Sequence, residues 1–195
     1  MIITPDMEKY ILLQRTGYGD ANVLKCYTED IQKDYQSIKE YLPEKCNRIL
    51  DIGCGLAGID LLLYNHYKGD TELHLFDYNK TDDKIHYGYH KTASVYNSLD
   101  LSGAFLKNNG VEKKKIGLHD ASFMFPVRQY DIIISLLSLG FHYPVDTYLS
   151  EMIMCKPKII ILDLRKHSEQ LRHLLSYFDV KIIAEYSKVQ RVLLT

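Results

Sequence analysis

Residues 48–58 read Arg-Ile-Leu-Asp-Ile-Gly-Cys-Gly-Leu-Ala-Gly, an apolar run holding one acid, then a glycine-rich turn that opens into the apolar segment Ile59 to Leu63. Gly53, Gly55 and Gly58 permit a sharp turn and a close approach of the backbone to a ligand. A helix starting there points its unpaired N–H groups at whatever is bound. The stretch Gly53-Cys54-Gly55-Leu56-Ala57-Gly58 also satisfies the dinucleotide pattern G-x-G-x-x-G, in which those N–H groups cradle a pyrophosphate. Asp51 separates the two readings: a carboxylate two residues before the first glycine repels a pyrophosphate and attracts an ammonium group. The acid therefore favours an amino-acid-bearing nucleoside over NAD.

With that motif the chain resembles the class I S-adenosylmethionine-dependent methyltransferases, whose first motif is a hydrophobic strand, an Asp or Glu, then Gly-x-Gly. The resemblance extends over residues 47–195. Thr71 to Phe76 reads as a second strand ending in Asp77, 26 positions after Asp51, where the family places an acid that accepts both ribose hydroxyls. A carboxylate has the paired acceptors for two such donors. Lys115 to Leu118 reads as a third strand, followed by His119-Asp120-Ala121, where the family places an acid or amide near the adenine amino group. The resemblance thus implies S-adenosylmethionine as cofactor, held by Asp51, Gly53, Cys54, Gly55, Asp77, Tyr78, Asp120, Ala121 and Ser135.

The family's acceptor generally meets residues after the fourth strand, here Ser135-Leu136-Leu137-Ser138-Leu139-Gly140-Phe141-His142-Tyr143-Pro144. His142 is the candidate base, because an attacking hydroxyl must lose a proton and imidazole titrates near neutral pH. Its competing role is an amphipathic loop residue packed between Phe141 and Tyr143. Asp163, at the end of the fifth strand, either orients His142 or caps a surface helix. Tyr78, His86, Tyr87, Tyr89, His90 and Tyr96 crowd the segment after Asp77 and form either a stacking platform for the acceptor or a satellite core. Of these, Tyr87 and His90, together with Tyr143, are taken as acceptor contacts. Ahead of the first helix, Arg15 is placed to meet the methionine carboxylate or an acidic substrate, with Tyr18 and Gly19 as further contacts.

The stretches Tyr87-Gly88-Tyr89-His90-Lys91 to Asn109-Gly110 and Gly140 to Pro144 are also similar to small bacterial and phage methyltransferases found near surface-glycan genes. That likeness implies O-methylation of a sugar hydroxyl without a metal. No group of acids suited to magnesium follows the fourth strand. The Pro-Pro-aromatic motif of exocyclic amine methylation is missing after Ser135, and the Pro-Cys of cytosine-C5 enzymes is replaced by Cys155-Lys156-Pro157. A formal net charge of −1 provides no basic footprint for nucleic acid. Lys113-Lys114-Lys115, the longest basic run, reads as a solvated lead-in to the third strand. The expected partner is a small-molecule or glycan substrate, with oligomeric state left open. Two other functions fit the same residues: a Rossmann-type NAD(P)-dependent oxidoreductase, and a non-catalytic module that binds S-adenosylmethionine.

The elements that must position these residues follow an alternating pattern. At 195 residues, 46% hydrophobic and 25% charged, the chain is expected to form one domain, with residues 1–46 as an N-terminal segment and flanking helix and 47–195 as the cofactor-binding core. Ile31, Tyr35, Ile38 and Leu42 fall on one helical stripe that Pro43 ends. The runs Ile132-Ile133-Ile134 and Ile159-Ile160-Ile161-Leu162, within strands expected over Tyr130 to Leu136 and Lys158 to Leu162, suit strands covered on both faces. Leu99 to Asn108 and Ser168 to Tyr177 have helical spacing, and Val180 to Glu185 with Val189 to Leu193 read as a closing hairpin. The expected fold is α/β: a Rossmann-like three-layer α/β/α sandwich with a mostly parallel seven-stranded sheet ending in an antiparallel β-hairpin. Cys26, Cys46, Cys54 and Cys155 show neither C-x-x-C nor zinc spacing. With no signal-peptide pattern and no run near the roughly 18 apolar residues of a membrane span, the expected location is the cytoplasm.

Overall fold

The computed structural model describes residues 1–15, 17, 22–80, 89 and 98–195. Seven strands, β1 (Arg48–Ile52), β2 (Glu72–Asp77), β3 (Ile116–Asp120), β4 (Ile132–Ser135), β5 (Ile159–Arg165), β6 (Val180–Glu185) and β7 (Val189–Leu194), form one sheet in the order β3-β2-β1-β4-β5-β7-β6. The first five run parallel; β7 is antiparallel to both β5 and β6. Consecutive apolar residues send alternate side chains to opposite faces. Ile49, Leu73, Leu75, Ile132, Ile134 and Ile161 therefore join one core, while Leu50, Ile52, Phe76, Ile133, Ile160 and Leu162 join the other.

The first core is covered by α1 (Pro5–Gln14), α2 (Val23–Ile38), α3 (Gly58–His66) and α4 (Leu99–Asn108). The second takes in residues of α5 (Leu149–Met154) and α6 (Gln170–Leu174). Side-chain caps start two of the helices: Asn22 Oδ1 accepts the Lys25 N–H at 2.9 Å and Ser98 Oγ accepts the Leu101 N–H at 3.3 Å. This is the expected three-layer α/β/α arrangement with its terminal hairpin. No helix among the described residues is long and apolar enough to cross a membrane.

β5 runs three residues beyond the expected Leu162 because β7 continues to pair with it, through Asp163↔Arg191 and Arg165↔Val189. Lys115 belongs to a 3-10 turn over Lys113–Lys115, so β3 begins at Ile116 and reaches Asp120. The expected Ser168 to Tyr177 helix contracts to Gln170–Leu174. Neither α1 nor α5 was anticipated; α5 has six residues and no side-chain cap.

β1 is the switch point. The chain builds β2 and β3 on one side of it, then returns to lay β4 on the other. Ligands of such sheets bind beyond the carboxyl ends of the strands at that crevice. The segments that border it follow β1 and β4.

Candidate functional site

The turn after β1 has the left-handed backbone that its glycines permit, with φ of +74° at Gly53 and +53° at Gly55. A Cβ on Gly53 would overlap the Ser138 hydroxyl, so the segments after β1 and β4 meet at the switch point. Gly55 lies under Gln14 of α1, whose Oε1 would be 2.9 Å from a Cβ there, and its carbonyl accepts the Ser102 hydroxyl of α4 at 2.6 Å. The turn is held from both sides by helices distant in sequence.

Asp51 shares a face of β1 with Ile49, and that face is covered by α3. Its carboxyl is buried and meets Asp60, itself fully buried in the first turn of α3. The Asp60 carboxyl faces the Asp51 carboxyl and meets no donor from any other side chain. Burial pushes both carboxyls above the ordinary range, and Asp51 rises further because the Asp60 and Asp77 charges stand beside it. Sequence reasoning missed Asp60. Its signal was an acid inside the apolar run Gly58-Ile59-Asp60-Leu61-Leu62-Leu63, on a helix that faces the core.

Asp77 ends β2 and organises the turn. Its Oδ2 accepts the Gly55 N–H at 3.2 Å, its Oδ1 accepts the Tyr78 N–H at 2.8 Å, and its backbone carbonyl accepts the Ala121 N–H at 2.9 Å. Asp120 is its register partner on β3 and accepts the Ser122 N–H at 2.8 Å. Burial pushes the Asp77 carboxyl up to about 7; the two N–H groups oppose that shift and the Asp120 charge adds to it. Asp51, Asp77 and Asp120 thus stand at the ends of three adjacent strands, with Cys54, Tyr78 and Ala121 beside them. Among the described residues, no group of three or more His, Cys, Asp or Glu is arranged to hold a metal.

The segment after β4 is tied down at each step. The Ser135 hydroxyl is buried, donates to the Ile52 carbonyl at 2.6 Å and accepts the Leu139 N–H at 3.0 Å, so it joins this segment to β1. Leu137, at a φ of +55°, gives its N–H to Asp163 at 3.2 Å. Tyr143 is buried with its hydroxyl 3.5 Å from the Ser138 hydroxyl, and burial raises its phenol well above the usual value, with Asp77, Tyr148 and Tyr78 close enough to add to the shift. His142 is half-buried; its N–H bonds the Ser138 carbonyl at 2.8 Å and its ring meets Phe141 edge-on at 4.8 Å.

Asp163 is no surface cap: it is fully buried within β5, where Arg191 of β7 grips it through Nε at 2.7 Å and Nη2 at 2.8 Å. Arg191 also meets Asp34 at 2.9 Å and the Ser37 hydroxyl at 2.6 Å, which binds α2 to the sheet. Burial pushes the Asp163 carboxyl up and Arg191 offsets part of that, while two carboxylates hold the guanidinium charged. Arg15 pairs with Asp30 of α2 at 3.5 Å. Tyr87 and His90, like His86, Tyr96, Tyr18 and Gly19, lie outside the described residues.

No protein-family model and no curated protein matches this sequence. Solved structures do. A SAM-dependent methyltransferase of Aquifex aeolicus is similar over 86% of this chain and 97% of its own, at 12% identity and a TM-score of 0.59. The ribosomal protein L11 methylase of Lactobacillus delbrueckii subsp. bulgaricus follows at 13% identity and 0.57, over 87% of this chain and 78% of its own. The magnesium protoporphyrin IX methyltransferase of Synechocystis PCC 6803, solved with SAM bound, matches over 92% and 87% at 13% identity and 0.56. This chain spans 56% of the length of a larger match from Nostoc punctiforme PCC 73102, at 13% identity and 0.54. The strand order, the reversed last strand and the glycine turn at the switch point give this chain the class I methyltransferase fold.

Proposed function

We propose that the protein is an S-adenosylmethionine-dependent methyltransferase acting on a small-molecule or glycan acceptor, with O-methylation of a sugar hydroxyl as its reaction. The observation that carries this reading is the row of strand-end carboxyls around a left-handed glycine turn. Asp60, buried against Asp51 with no cationic partner among the described residues, adds a second carboxyl that an ammonium group would satisfy. That is the cationic end of a methionine moiety, and a pyrophosphate would be repelled there.

In this reading Asp51, with Asp60 behind it, attracts the ammonium, and Gly53, Cys54 and Gly55 shape the turn against the methionine chain. Asp77 accepts the ribose hydroxyls, with Tyr78 adjacent, and Asp120 and Ala121 border the adenine. The bound sulfonium supplies an electrophilic methyl carbon. His142 takes the proton from the acceptor hydroxyl as oxygen attacks, and Tyr143 lines the crevice between it and Asp77. Holding the acceptor in line with the methyl group is the larger contribution, since orientation outweighs a single base. The solved neighbours act on targets as different as a ribosomal protein and a porphyrin. The acceptor class therefore rests on the sequence: near-zero net charge, absent base-methylation motifs and the likeness to glycan-associated methyltransferases. On the same grounds we expect neither a nucleic-acid nor a membrane partner. Four cysteines without C-x-x-C spacing fit a reducing compartment, and we place the protein in the cytoplasm.

Isothermal titration with S-adenosylmethionine, S-adenosylhomocysteine and NADH tests the cofactor. Micromolar binding of the first two is expected, weakened by about a hundredfold in Asp77→Ala, because two hydrogen bonds to a charged acceptor are lost. NADH binding in their place would establish the oxidoreductase. In the acceptor screen, His142→Ala is expected to lower kcat by roughly 10²–10⁴ with cofactor affinity unchanged. Tight cofactor binding without turnover on any acceptor would leave a binding module.

A further inference from the structure

Arg165 is the last residue of β5 and lies at the carboxyl edge of the sheet, beside the segment that follows β4. Its backbone N–H bonds the Gly140 carbonyl at 3.0 Å, and its Nε donates to the Phe141 carbonyl at 3.1 Å. The guanidinium carbon sits 4.6 Å from the centre of the Phe141 ring and 5.7 Å from that of Tyr89. Phe141 in turn meets the His142 ring at 4.8 Å, so cation, ring and imidazole form one row along the crevice. Tyr89 is the one described residue of the aromatic segment 86–90, which the sequence offers as either a stacking platform for the acceptor or a satellite core.

Among the described residues no carboxylate pairs with Arg165. Its neighbours differ in this respect. Lys166 pairs with Glu185 at 2.8 Å, Arg172 with Glu169 at 3.7 Å and His173 with Asp146 at 2.9 Å. Stacking on an aromatic ring uses the face of a guanidinium and leaves its in-plane donors available. Nε is bound to the Phe141 carbonyl, which fixes the plane, and no described residue bonds either Nη group, which together can form a two-pronged bond. A planar fork of this kind matches a carboxylate or a phosphate better than any neutral group.

We propose that Arg165 is the binding site for an anionic group, carboxylate or phosphate, carried by the methyl acceptor, so that the substrate is an acidic or phosphorylated sugar. Calling the ligand an acceptor rests on the methyltransferase reading; anion binding by Arg165 does not. Phe141 touches both the Arg165 guanidinium and the His142 ring, so an acceptor anchored at Arg165 would be held within one aromatic residue of the proposed base.

The test titrates glucuronate, glucose 1-phosphate, glucose and inorganic phosphate into protein saturated with S-adenosylhomocysteine, using wild type, Arg165→Gln and Arg165→Lys. At least one charged sugar is expected to bind about tenfold or more tighter than glucose. Arg165→Gln should abolish that difference and Arg165→Lys should keep part of it, with S-adenosylhomocysteine affinity unchanged in both as proof of folding. Preference for glucuronate assigns a carboxylate. Preference for glucose 1-phosphate, with weaker competition by inorganic phosphate, assigns a sugar phosphate. Equal binding of glucose and the charged sugars, no saturable binding of any anion, or wild-type affinity in Arg165→Gln would overturn the proposal. Failure of the wild type to bind S-adenosylhomocysteine would instead remove the methyltransferase reading, and the anion titrations on the free protein would still decide the role of Arg165.

Discussion

Asp163→Asn separates a structural from a catalytic role for the residue that the sequence offered either as a partner of His142 or as a surface cap. The change preserves size and replaces two carboxylate oxygens with one carbonyl oxygen and an NH2. In the native protein those oxygens accept Arg191 Nε at 2.7 Å, Arg191 Nη2 at 2.8 Å and the Leu137 N–H at 3.2 Å. The amide can serve only one side; its NH2 must then face another donor. Arg191, with 1% of its surface exposed, keeps Asp34 at 2.9 Å as its remaining acid. Breaking a buried pair costs about 3–5 kcal/mol, and the surviving Asp34 contact argues for the lower end. At roughly 2–4 °C per kcal/mol for a chain of this size, the midpoint of thermal unfolding should fall by about 6–12 °C. Differential scanning calorimetry at neutral pH measures this. Arg191→Met on the Asp163→Asn background should be less damaging than the sum of the single changes, because no unpaired cation is then left inside. An unchanged unfolding midpoint together with lost methyl transfer would refute the reasoning and return Asp163 to the chemistry.

Gly53→Ala is expected to weaken S-adenosylhomocysteine binding by at least about tenfold, since an L-residue at a left-handed φ costs on the order of 1–2 kcal/mol and its Cβ overlaps the Ser138 hydroxyl. Ser138→Gly should restore part of that affinity in the same titration, and wild-type affinity in Gly53→Ala alone would sink the argument. The buried acids also set a pH trend. Asp51, Asp60 and Asp77 all have folded-state values raised above those of the unfolded chain, so the native protein binds more protons than the unfolded one between about pH 4 and 7. Their contribution to stability is most favourable below that window and is lost as pH rises through it. The unliganded protein should therefore unfold at a lower temperature at pH 8 than at pH 5.5, with the difference reduced in Asp60→Asn; a stability that rises across this range would contradict the burial of these groups. Cofactor affinity should run the opposite way: with Asp77 near 7, the carboxylate is about tenfold less populated at pH 6 than at pH 8, and affinity should fall by a similar factor. Asp77→Asn should flatten that component.

Much of the scaffold was legible because the relevant signals are local. Ile132-Ile133-Ile134 and Ile159-Ile160-Ile161-Leu162 can only be strands buried on both faces, and the acid–glycine sequence from Asp51 to Gly58 declares a turn at a ligand. Helices α1 and α5 carried weaker signals: one is mostly exposed along its length, the other is six residues long without a side-chain cap. The end of β5 was read too early because a charged residue inside a strand looks like its terminus.

By itself, the sequence determined the succession of the seven strands, the glycine turn and the presence of acids at three strand ends, all of which follow from periodicity and from residue types that restrict the backbone. Tertiary structure alone decided what each acid does. Asp51 gained Asp60 because α3 covers the face of β1 from which it projects; Asp163 was drawn to Arg191, 28 residues away, because β7 pairs antiparallel to β5 in that register. Ser135 became a tie between strands, and Arg165 was set over the Phe141 ring with no carboxylate paired to it among the described residues. A side chain's charge is written in the chain, but its partner is set by which distant strand lies next to it, and that is fixed only when the sheet is assembled.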